Sequence, residues 1–500
     1  MATPDFHPVD DQDRALLDNA HPPGWVNPEP PGRYNLVVLG AGTAGLVAAS
    51  AAAGLGARVA LVERHLMGGD CLVAGCVPSK ALIRTSRAIA DVRDAGKFGV
   101  RMGGNASADF SGAMARMRGL RAAISPNDSA TRFRGLGVDV YLGPGRFVAR
   151  DAVEVGGRTL RFARALIATG SRPAPAEVPG LAEAGYLTNE TVFSLAELPA
   201  RLAVVGAGPI GSELAQAFAR LGARVTLIRG GHPLLAREHR DAAGLVEASL
   251  RRDGVGIVDQ EVVRARGDGP DRVLTLAGGG EIRADAVLVG VGRRPNVEGL
   301  GLDRAGLTVG ESGVAVDDRL RTANRRIYAA GDVCSRWRYT HAADAMARLA
   351  IRNALFLGRE KVSDLVIPRC TYTDPEVAQV GLDAAEADRR GIPIRAFRVE
   401  LAEVDRARID GESEGFVEVL VRRGTDRVVG ATVAARQAGE MISELTLAIV
   451  GRVGLRTIAR TIHPYPTRSE AIKKVADAYN RGRLTPLAAR LARLWLAGRR

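Results

Sequence analysis

The sequence predicts an α/β fold in which one strand–turn–helix–strand unit occurs twice. Two glycine-rich turns, each placed between an apolar strand and a helix, indicate the two copies. Counted from its first glycine, each copy places a charged residue after 23 positions, at the end of its second strand. Two Rossmann-like domains are therefore expected, and the length leaves room for about three domains in all.

The first copy opens with an apolar strand from residue 35 and closes with a second strand that ends at Glu63. Its turn contains Gly40, Gly42 and Gly45. These glycines permit a tight turn and a close approach of the backbone to a pyrophosphate at the start of the following helix. An acid about 20 residues further on accepts a hydrogen bond from a ribose hydroxyl. The first copy is therefore predicted to bind a dinucleotide.

The second copy contains Gly206, Gly208 and Gly211, and the charged residue after its second strand is Arg229. A guanidinium binds a 2′-phosphate with paired hydrogen bonds, whereas a carboxylate would repel that phosphate. The second site is therefore predicted to prefer NADPH, with Arg237 as a second candidate ligand of the phosphate. NADH stays as the alternative, because Arg229 could equally be a solvated strand end.

Two cysteines five positions apart, Cys71 and Cys76, follow the acidic end of the first copy. In a regular helix such positions lie about 7.5 Å apart along the axis, beyond the ~7 Å limit that a disulfide sets on its Cα atoms. They can bond only if the helix begins late or is distorted, which Gly75 and Pro78 permit. Because a dinucleotide unit precedes them, we interpret the pair as a redox-active disulfide held against a flavin. Two neighbouring buried thiols are the alternative.

Further motifs are spread over the rest of the chain. They are ATGSRP at 168–173, GVGRRPN at 290–296, AGD at 330–332, YTDPE at 372–376, and Pro466-Thr467 followed by Glu470. Together with the glycine turns and the cysteine pair, they resemble the FAD-dependent pyridine nucleotide-disulfide oxidoreductases of class I. That family includes glutathione reductase, dihydrolipoamide dehydrogenase and mercuric reductase, and the mercuric reductase-like branch is the most similar. The resemblance extends from about Tyr34 to Tyr479.

The resemblance implies a domain order. It gives an FAD-binding domain over 34–173, an inserted NAD(P)-binding domain over 174–295, a return to the FAD domain over 296–362, and a C-terminal α+β dimerisation domain over 363–480. Residues 1–33 are predicted to be an N-terminal arm, and residues 481–500 a basic amphipathic tail. The implied cofactors are FAD and NAD(P)H, and the implied partner is a second copy of the chain.

The resemblance also implies roles around the flavin. Cys76 would face the flavin, with its thiolate in charge-transfer contact, and Cys71 would be the interchange thiol that meets the substrate. Lys80 would lie near flavin N5, and Glu213 would partner both this lysine and the nicotinamide amide; ordinary helix-surface charges are the alternative for both. Further cofactor contacts are implied for Asp332 with the ribityl chain, and for Thr169, Gly170 and Gly292.

The segment from His463 to Glu470 bears on the substrate, because in the family it reaches across the dimer to the partner's disulfide. Disulfide reductases and dihydrolipoamide dehydrogenase have a histidine directly before Pro-Thr, held by the glutamate that follows. Here Tyr465 takes that position and Glu470 is the glutamate. Tyrosine, with a reference pKa near 10, accepts protons poorly at pH 7. His463, two residues upstream, keeps exchange with a dithiol open.

A soft metal ion such as Hg(II) binds thiolates and takes up electrons with no organic thiol to protonate, which agrees with tyrosine at this position. Mercuric reductases, however, carry a C-terminal cysteine pair and an N-terminal metal-binding domain, and this chain has no cysteine after Cys370. Cys334 and Cys370 are single and are interpreted as structural, so no resident metal site is expected.

Three interpretations therefore stay open. The first is an NADPH-dependent flavoenzyme that reduces Hg(II) or another thiophilic acceptor at Cys71. The second is a dihydrolipoamide dehydrogenase or small-disulfide reductase that uses His463. The third is a redox sensor or membrane-recruited binding protein that uses the basic tail. Reduction of quinones or dyes directly from the flavin remains beside these three.

The formal net charge of +13 rests almost wholly on arginines dispersed along the chain, since only five lysines are present. Without a dense basic cluster interleaved with aromatic residues, nucleic-acid binding is not expected. Four cysteines in 500 residues favour a reducing compartment, the cytoplasm. The tail is the exception in its charge pattern: its apolar residues recur at helical spacing, with arginines between them. Peripheral membrane contact and packing against the partner subunit are the two interpretations of Leu484, Leu487, Leu491, Leu494 and Trp495 with Arg490, Arg493, Arg499 and Arg500.

Overall fold

A computed structural model of the chain describes residues 10–101, 103, 107–483 and 486–499. Its helices in these ranges are α1 (Asp11–Ala20), α2 (Thr43–Gly54), α3 (Gly69–Val73), α4 (Cys76–Asp94), α5 (Phe110–Ile124), α6 (Ala130–Gly135), α7 (Leu181–Ala184), α8 (Pro209–Leu221), α9 (Arg240–Arg252), α10 (Thr340–Leu355), α11 (Ala384–Arg389), α12 (Asp405–Ile409), α13 (Ala438–Val450), α14 (Leu455–Arg460), α15 (Glu470–Arg481) and α16 (Pro486–Ala497).

The strands in the same ranges are β1 (Arg33–Leu39), β2 (Val59–Glu63), β3 (Val138–Leu142), β4 (Gly145–Ala149), β5 (Ala152–Val155), β6 (Arg158–Ile167), β7 (Ser171–Pro173), β8 (Arg201–Val205), β9 (Arg224–Ile228), β10 (Gly256–Val258), β11 (Val262–Asp268), β12 (Asp271–Leu276), β13 (Glu281–Ala284), β14 (Ala286–Val289), β15 (Arg293–Pro295), β16 (Val309–Gly310), β17 (Gly313–Val314), β18 (Ile327–Ala329), β19 (Arg369–Thr371), β20 (Glu376–Gly381), β21 (Ile394–Glu400), β22 (Phe416–Arg422) and β23 (Val428–Ala435).

The chain divides into two compact units. In the described ranges the first comprises 10–93, 107–231 and 256–365, and the second comprises 94–101, 103, 232–255, 366–483 and 486–499. The first unit contains both glycine-rich copies. The second contains the predicted dimerisation domain together with the segment over 232–255, which the sequence-based boundaries assign to the NAD(P) domain.

The first sheet of unit one carries the first glycine-rich copy. Its strands lie in the order β3-β2-β1-β6, with β18 also paired to β6, and these neighbours are parallel. The strands β4 and β5 continue from β6 as antiparallel neighbours. Parallel strands end at one edge of a sheet, so the turn after β1 and the acid at the end of β2 lie side by side there. Buried Tyr34, Phe147 and Phe162 are part of the core beneath this sheet.

The second glycine-rich copy forms its own parallel sheet in the order β10-β9-β8-β14. The strand β8 leads into the turn, and α8 follows the turn directly. In the register of β9 and β10, Ile228 is paired with Val258, so the residues that follow both strands leave the sheet together. An antiparallel sheet, β11-β12-β13, contributes Leu274 to the same core as Ala203 and Val287.

Unit two is built on an antiparallel sheet in the order β19-β20-β23-β22-β21. The helix α13 packs against β20 and β23, α15 packs against β21 and β22, and α9 also contacts β20 and β23. With helices on the sheet, almost every position of β20 and β23 is buried, including the polar Glu376, Gln379 and Thr432. This α+β arrangement is the one expected for the C-terminal domain.

Residues 11–20, within the segment predicted to be an N-terminal arm, form α1, in which Leu16 and Ala20 are fully buried. Asp13 of this helix forms an ion pair of 2.8 Å with Arg121 of α5, and both side chains are almost inaccessible to solvent. The segment contains few apolar residues, so its sequence does not indicate that it packs on the domain. A buried ion pair contributes to that packing instead.

No helix within the described part of the chain is long and apolar enough to cross a bilayer. Of the predicted tail, Leu484, Thr485 and Arg500 lie outside the described residues. Arg481 ends α15, and residues 486–497 form α16.

Candidate active site

The two cysteines lie on either side of a break between two helices. Cys71 is in α3, which ends at Val73, and Cys76 is the first residue of α4. Gly75 occupies the break, where a Cβ atom would lie 2.7 Å from the carbonyl oxygen of Asp70. The helix therefore starts late, as the spacing of the cysteines requires, and only glycine fits the break without a shift of the backbone. Both cysteines are free thiols in this structure.

The two thiols differ in how easily they ionise. The hydrogen bond between them raises the pKa of Cys71 and lowers that of Cys76, because it is Cys71 that donates. Thr340 at the start of α10 also lowers the pKa of Cys76, since its Oγ1 lies 3.3 Å from Cys76 Sγ, and the charge of Lys80 acts in the same direction. The site therefore favours a thiolate at Cys76 and a neutral thiol at Cys71.

Lys80 joins the two glycine-rich copies. Its Nζ donates to Glu213 Oε2 at 2.8 Å, with the glutamate almost buried and the lysine about one third exposed. Lys80 lies one helical turn beyond Cys76 in α4, and Glu213 follows Gly211 in α8. The structure thus brings together the two charged residues that the family resemblance pairs.

Arg293 connects the segment of Cys71 with Asp332. Its Nη2 lies 3.2 Å from Asp70 Oδ2, and its Nε donates to Ser171 Oγ at 2.8 Å. Ser171 in turn donates to Asp332 Oδ2 at 2.7 Å. Burial raises the pKa of Asp332, which the Ser171 hydrogen bond and the Arg293 charge oppose. Arg293 therefore positions two acids at once: Asp70, the residue before Cys71, and, through Ser171, Asp332, the acid expected at the ribityl chain.

The first glycine turn leaves the start of α2 open to a phosphate. Gly42 caps the helix in extended conformation with no side chain on its N–H groups. A Cβ atom at Gly45 would lie 1.8 Å from the carbonyl oxygen of Gly40, so the helix approaches the turn as closely as glycine allows. Glu63 accepts from the N–H of Ala41 at 2.6 Å. Since a carboxylate has about four acceptor positions, Glu63 can hold the turn and still accept from a ribose.

The second turn repeats this backbone with different polar partners. A Cβ atom at Gly211 would lie 1.9 Å from the carbonyl oxygen of Gly206, and Gly208 caps α8 without a side-chain bond. Arg229 donates from Nη2 to Asp259 Oδ2 at 2.7 Å. This pairing lowers the pKa of Asp259, which is half exposed. The guanidinium expected at a 2′-phosphate thus already has an anionic neighbour.

The remaining predicted cofactor residues of unit one lie in the connection between the sheets. Thr169 Oγ1 donates to the carbonyl oxygen of Asn296 at 2.7 Å, and the carbonyl oxygen of Gly170 accepts from the N–H of Asn296 at 3.0 Å. The carbonyl oxygen of Gly292 accepts from the N–H of Ala174 at 2.9 Å. These bonds hold residues 169–174 beside residues 292–296, the two segments that connect the two glycine-rich copies.

Arg237 lies in the second unit, whereas Arg229 lies in the first. Arg237 is exposed, and its carbonyl oxygen accepts from Arg369 at 3.0 Å. Its role as a second phosphate ligand stays a prediction.

His463 in unit two has acceptors at both ring nitrogens. Nε2 lies 3.0 Å from Glu444 Oε1, and Nδ1 lies 3.1 Å from the carbonyl oxygen of Thr461. Its side chain is only 6% exposed. A neutral imidazole can donate to only one of these oxygens, but both ring nitrogens face oxygen atoms of this unit, so neither is turned toward a substrate in this arrangement.

Tyr465 and Glu470 are not bonded to each other. Tyr465 donates from its hydroxyl to Asp405 Oδ2 at 3.0 Å, and this bond raises the pKa of the phenol. Glu470 lies 3.4 Å from Lys474 Nζ, while its Oε2 is buried without a hydrogen-bond partner. Both residues line a cavity of about 480 Å³ that also borders His463. Tyr465 is therefore a hydrogen-bond donor in this segment.

Several polar neighbours of the site were missed at the sequence level. Thr340 is 264 residues from Cys76, and no motif marks it. Arg293 belongs to the GVGRRPN motif, so its place in the sequence is marked although its partners are not. Asp259 directly follows β10, and Arg229 directly follows β9, the strand that precedes β10 in the chain. Its position could have been inferred from the parallel order of the strands.

The residues present fit FAD and a nicotinamide dinucleotide. Both helix starts expose uncapped N–H groups beside glycines that admit no Cβ atom, as a bound pyrophosphate requires. Cys76, the thiol that the family resemblance places against the flavin, is exposed in the structure. Lys80 and Glu213 join the two copies at the same place.

Family models extend this agreement to most of the chain. Residues 34–347 match "Pyridine nucleotide-disulphide oxidoreductase", and residues 367–476 match the dimerisation domain of the same family. Mercuric reductase of Streptomyces lividans is 35% identical over 89% of this chain and 96% of its own length. Dihydrolipoyl dehydrogenase of Chlamydia muridarum is 34% identical over 87% of this chain and 95% of its own.

Solved structures show the same fold. LpdA of Mycobacterium tuberculosis superposes with a TM-score of 0.82 at 28% identity, covering 89% of this chain and 99% of its own. The Cu(II) complex of the HOCl-induced flavoprotein disulfide reductase RclA of Escherichia coli gives 0.80 at 25% identity, covering 89% and 99%. With its paired glycine turns, its thiols at a helix break and its C-terminal dimerisation domain, the chain belongs to the FAD-dependent pyridine nucleotide-disulfide oxidoreductases, which bind FAD and use NAD(P)H.

Proposed function

We propose that this flavoprotein passes electrons from NADPH to a soft metal ion bound by the thiols of Cys71 and Cys76. The observation that carries the proposal is the unequal pair itself: a thiolate-favouring Cys76 beside Thr340 and Lys80, and a neutral Cys71. FAD held at the first glycine turn and Glu63, with the nicotinamide dinucleotide at the second turn, would supply the hydride and electron-pair transfer that reduces the disulfide. The residues of the chain supply the placement and the charge.

The electron balance of the proposed reaction is simple. The reduced dithiol gives two electrons and two protons and returns to the disulfide, while Hg(II) takes both electrons and becomes Hg(0). One NADPH is consumed in each cycle, and one proton is released overall. A Cu(II) acceptor would take one electron per ion, so two ions would be reduced. Thiolates are ligands that soft metal ions prefer.

The acceptor is inferred from the second unit. Tyr465 stands where a disulfide reductase has its histidine, and its bond to Asp405 keeps the phenol protonated. Both ring nitrogens of the nearby His463 face oxygen atoms of this unit. A base for thiol exchange is therefore poorly provided, whereas metal reduction needs none. Similarity to mercuric reductases, and to a reductase solved with Cu(II), supports the same choice.

Dihydrolipoamide is the second candidate, because dihydrolipoyl dehydrogenases match at nearly the same identity. The two candidates separate in one experiment. Purified, flavin-loaded protein is assayed with NADPH against Hg(II), Cu(II), lipoamide and a quinone. We expect metal-dependent oxidation of NADPH that is lost in Cys71→Ser.

His463→Ala and Tyr465→Phe serve as the paired variants in that assay. If lipoamide turnover exceeds metal turnover and disappears in His463→Ala, the metal assignment is wrong. If Cys71→Ser retains every activity, electrons leave from the flavin directly and the proposal is also wrong.

A further inference from the structure

The helix α16 carries an apolar stripe that faces solvent. Leu487, Leu491, Leu494 and Trp495 are 58–66% exposed. With 3.6 residues per turn, positions i, i+4, i+7 and i+8 fall on one side of a helix, so these four side chains form a continuous row. We call them the apolar stripe. Leu496 is equally exposed at 61%, but it lies about half a turn away from Leu487 around the axis.

The charge around the stripe has a single sign. From residue 478 to the end the sequence contains six arginines and neither aspartate nor glutamate. Arg490 borders the stripe, and the guanidinium of Arg499 stacks on the Trp495 ring at 4.3 Å from its centroid. Tryptophan beside arginine is typical of helices at the boundary between headgroups and acyl chains.

We propose that α16 docks the protein on an anionic membrane surface. The helix is about 18 Å long and would lie in the plane of the interface, with the apolar stripe among the acyl chains and the arginines at the phosphates. The single positive sign is complementary to anionic lipid. In a second copy of the chain α16 carries the same positive charge, so two such helices would repel each other.

The test uses the purified, flavin-loaded full chain in a vesicle sedimentation assay. Vesicles of phosphatidylcholine alone are compared with vesicles that also contain phosphatidylglycerol, at low and at high salt. We expect binding to the anionic vesicles only, with a loss at high salt because salt screens exposed charges. Equal binding to both kinds of vesicle, or no binding at low salt, would overturn the proposal.

Matched variants locate the contact. We expect the double variant Leu491→Gln, Trp495→Gln to bind anionic vesicles at least about tenfold more weakly, because two large apolar side chains would lose burial. The control Leu496→Gln removes an equally exposed leucine from the other side and should change binding less than about twofold. Arg490→Gln should lower binding about fivefold.

The partner subunit is the other occupant that the test distinguishes. Sedimentation velocity of the double variant without lipid should show the same dimer as the parent protein. If the double variant dissociates to monomers, the stripe is a subunit contact and the membrane proposal is wrong. If Leu496→Gln weakens vesicle binding as much as the double variant, the face is wrongly assigned. NADPH-dependent reduction of a dye reports that each variant is folded.

Discussion

The two glycine-rich copies share a backbone and differ in one charge. Gly40 and Gly206 both have positive φ, and each copy brings its third glycine against the carbonyl oxygen of its first. At the end of the second strand, however, Glu63 turns back to its own turn, whereas Arg229 pairs with the neighbouring strand's Asp259. The two copies therefore share the packing that shapes the turn, and they differ in the partner of the charged residue that ends the unit.

The largest effect is expected from adding one methyl group to the third glycine of either copy. In Gly45→Ala the Cβ atom would strike the backbone of Gly40, and in Gly211→Ala that of Gly206. We expect the first variant to be isolated without flavin. We expect the second to keep its flavin while reduction by NADPH slows at least about 100-fold, as stopped-flow absorbance would show.

Gly54→Ala is the control for both variants, because a Cβ atom at this helical position meets nothing. Dithionite should still reduce the flavin of Gly211→Ala. Flavin retained at the parent level in Gly45→Ala would contradict the assignment of the first copy.

Giving the second copy the acid of the first tests the charge difference. Arg229→Glu removes a charged hydrogen-bond donor worth roughly 1.5–3 kcal/mol, so kcat/KM for NADPH should fall about 10- to 100-fold. The value for NADH should stay within about threefold, because NADH carries no 2′-phosphate. Arg224→Glu, at the other end of the same strand, has the same net charge and should leave the ratio unchanged. Equal losses for both nucleotides would refute the NADPH preference.

The copies also differ in what lies after them, since only the first is followed by the cysteines. The long-wavelength absorbance of the NADPH-reduced protein reports the Cys76 thiolate. As the pH is lowered, this absorbance should persist below about pH 8.5, where an ordinary cysteine becomes protonated. Thr340→Val removes a donor that stabilises the Cys76 thiolate. The midpoint should therefore rise by about one pH unit, and Thr340→Ser should restore it. A midpoint that does not move in the valine variant would exclude Thr340 from this role.

The smallest effect is expected at the partner of Arg229. Asp259→Asn removes the anion that competes with a 2′-phosphate for the guanidinium. Since Asp259 is half exposed and its pairing is screened by solvent, the preference for NADPH over NADH should increase only about threefold. The ratio of the two kcat/KM values measures it, and a fall in that ratio would mean that Asp259 orients Arg229 instead of competing for it.

The sequence was informative where contacts are local. The turns around Gly40 and Gly206, the end of α8 at Leu221 and the late start of α4 at Cys76 follow from short-range rules on glycine, helix length and cysteine spacing. Thr340 was not predictable, because its contact with Cys76 depends on how a distant helix packs.

Pairings across strands and helices were missed for a related reason. Asp259 can be recognised as the neighbour of Arg229 only when the order of the strands in the sheet is known. The helix α1 was overlooked because a buried ion pair, and not an apolar stripe, marks it. The roles of His463 and Glu470 depended on the family motif alone, and their partners Glu444 and Lys474 are separate from it.

The contact between Asp13 and Arg121 reaches the thiol segment. Arg121 donates from Nη2 to Asp13 and from Nη1 to the carbonyl oxygen of Val73, where the helix carrying Cys71 ends, both at 2.8 Å. Removing one partner of a buried pair costs roughly 3–5 kcal/mol. A protein shortened to begin at Tyr34 would thus lose a support of the helix that carries Cys71. We expect it to lose activity that depends on the two thiols while it still binds both dinucleotides.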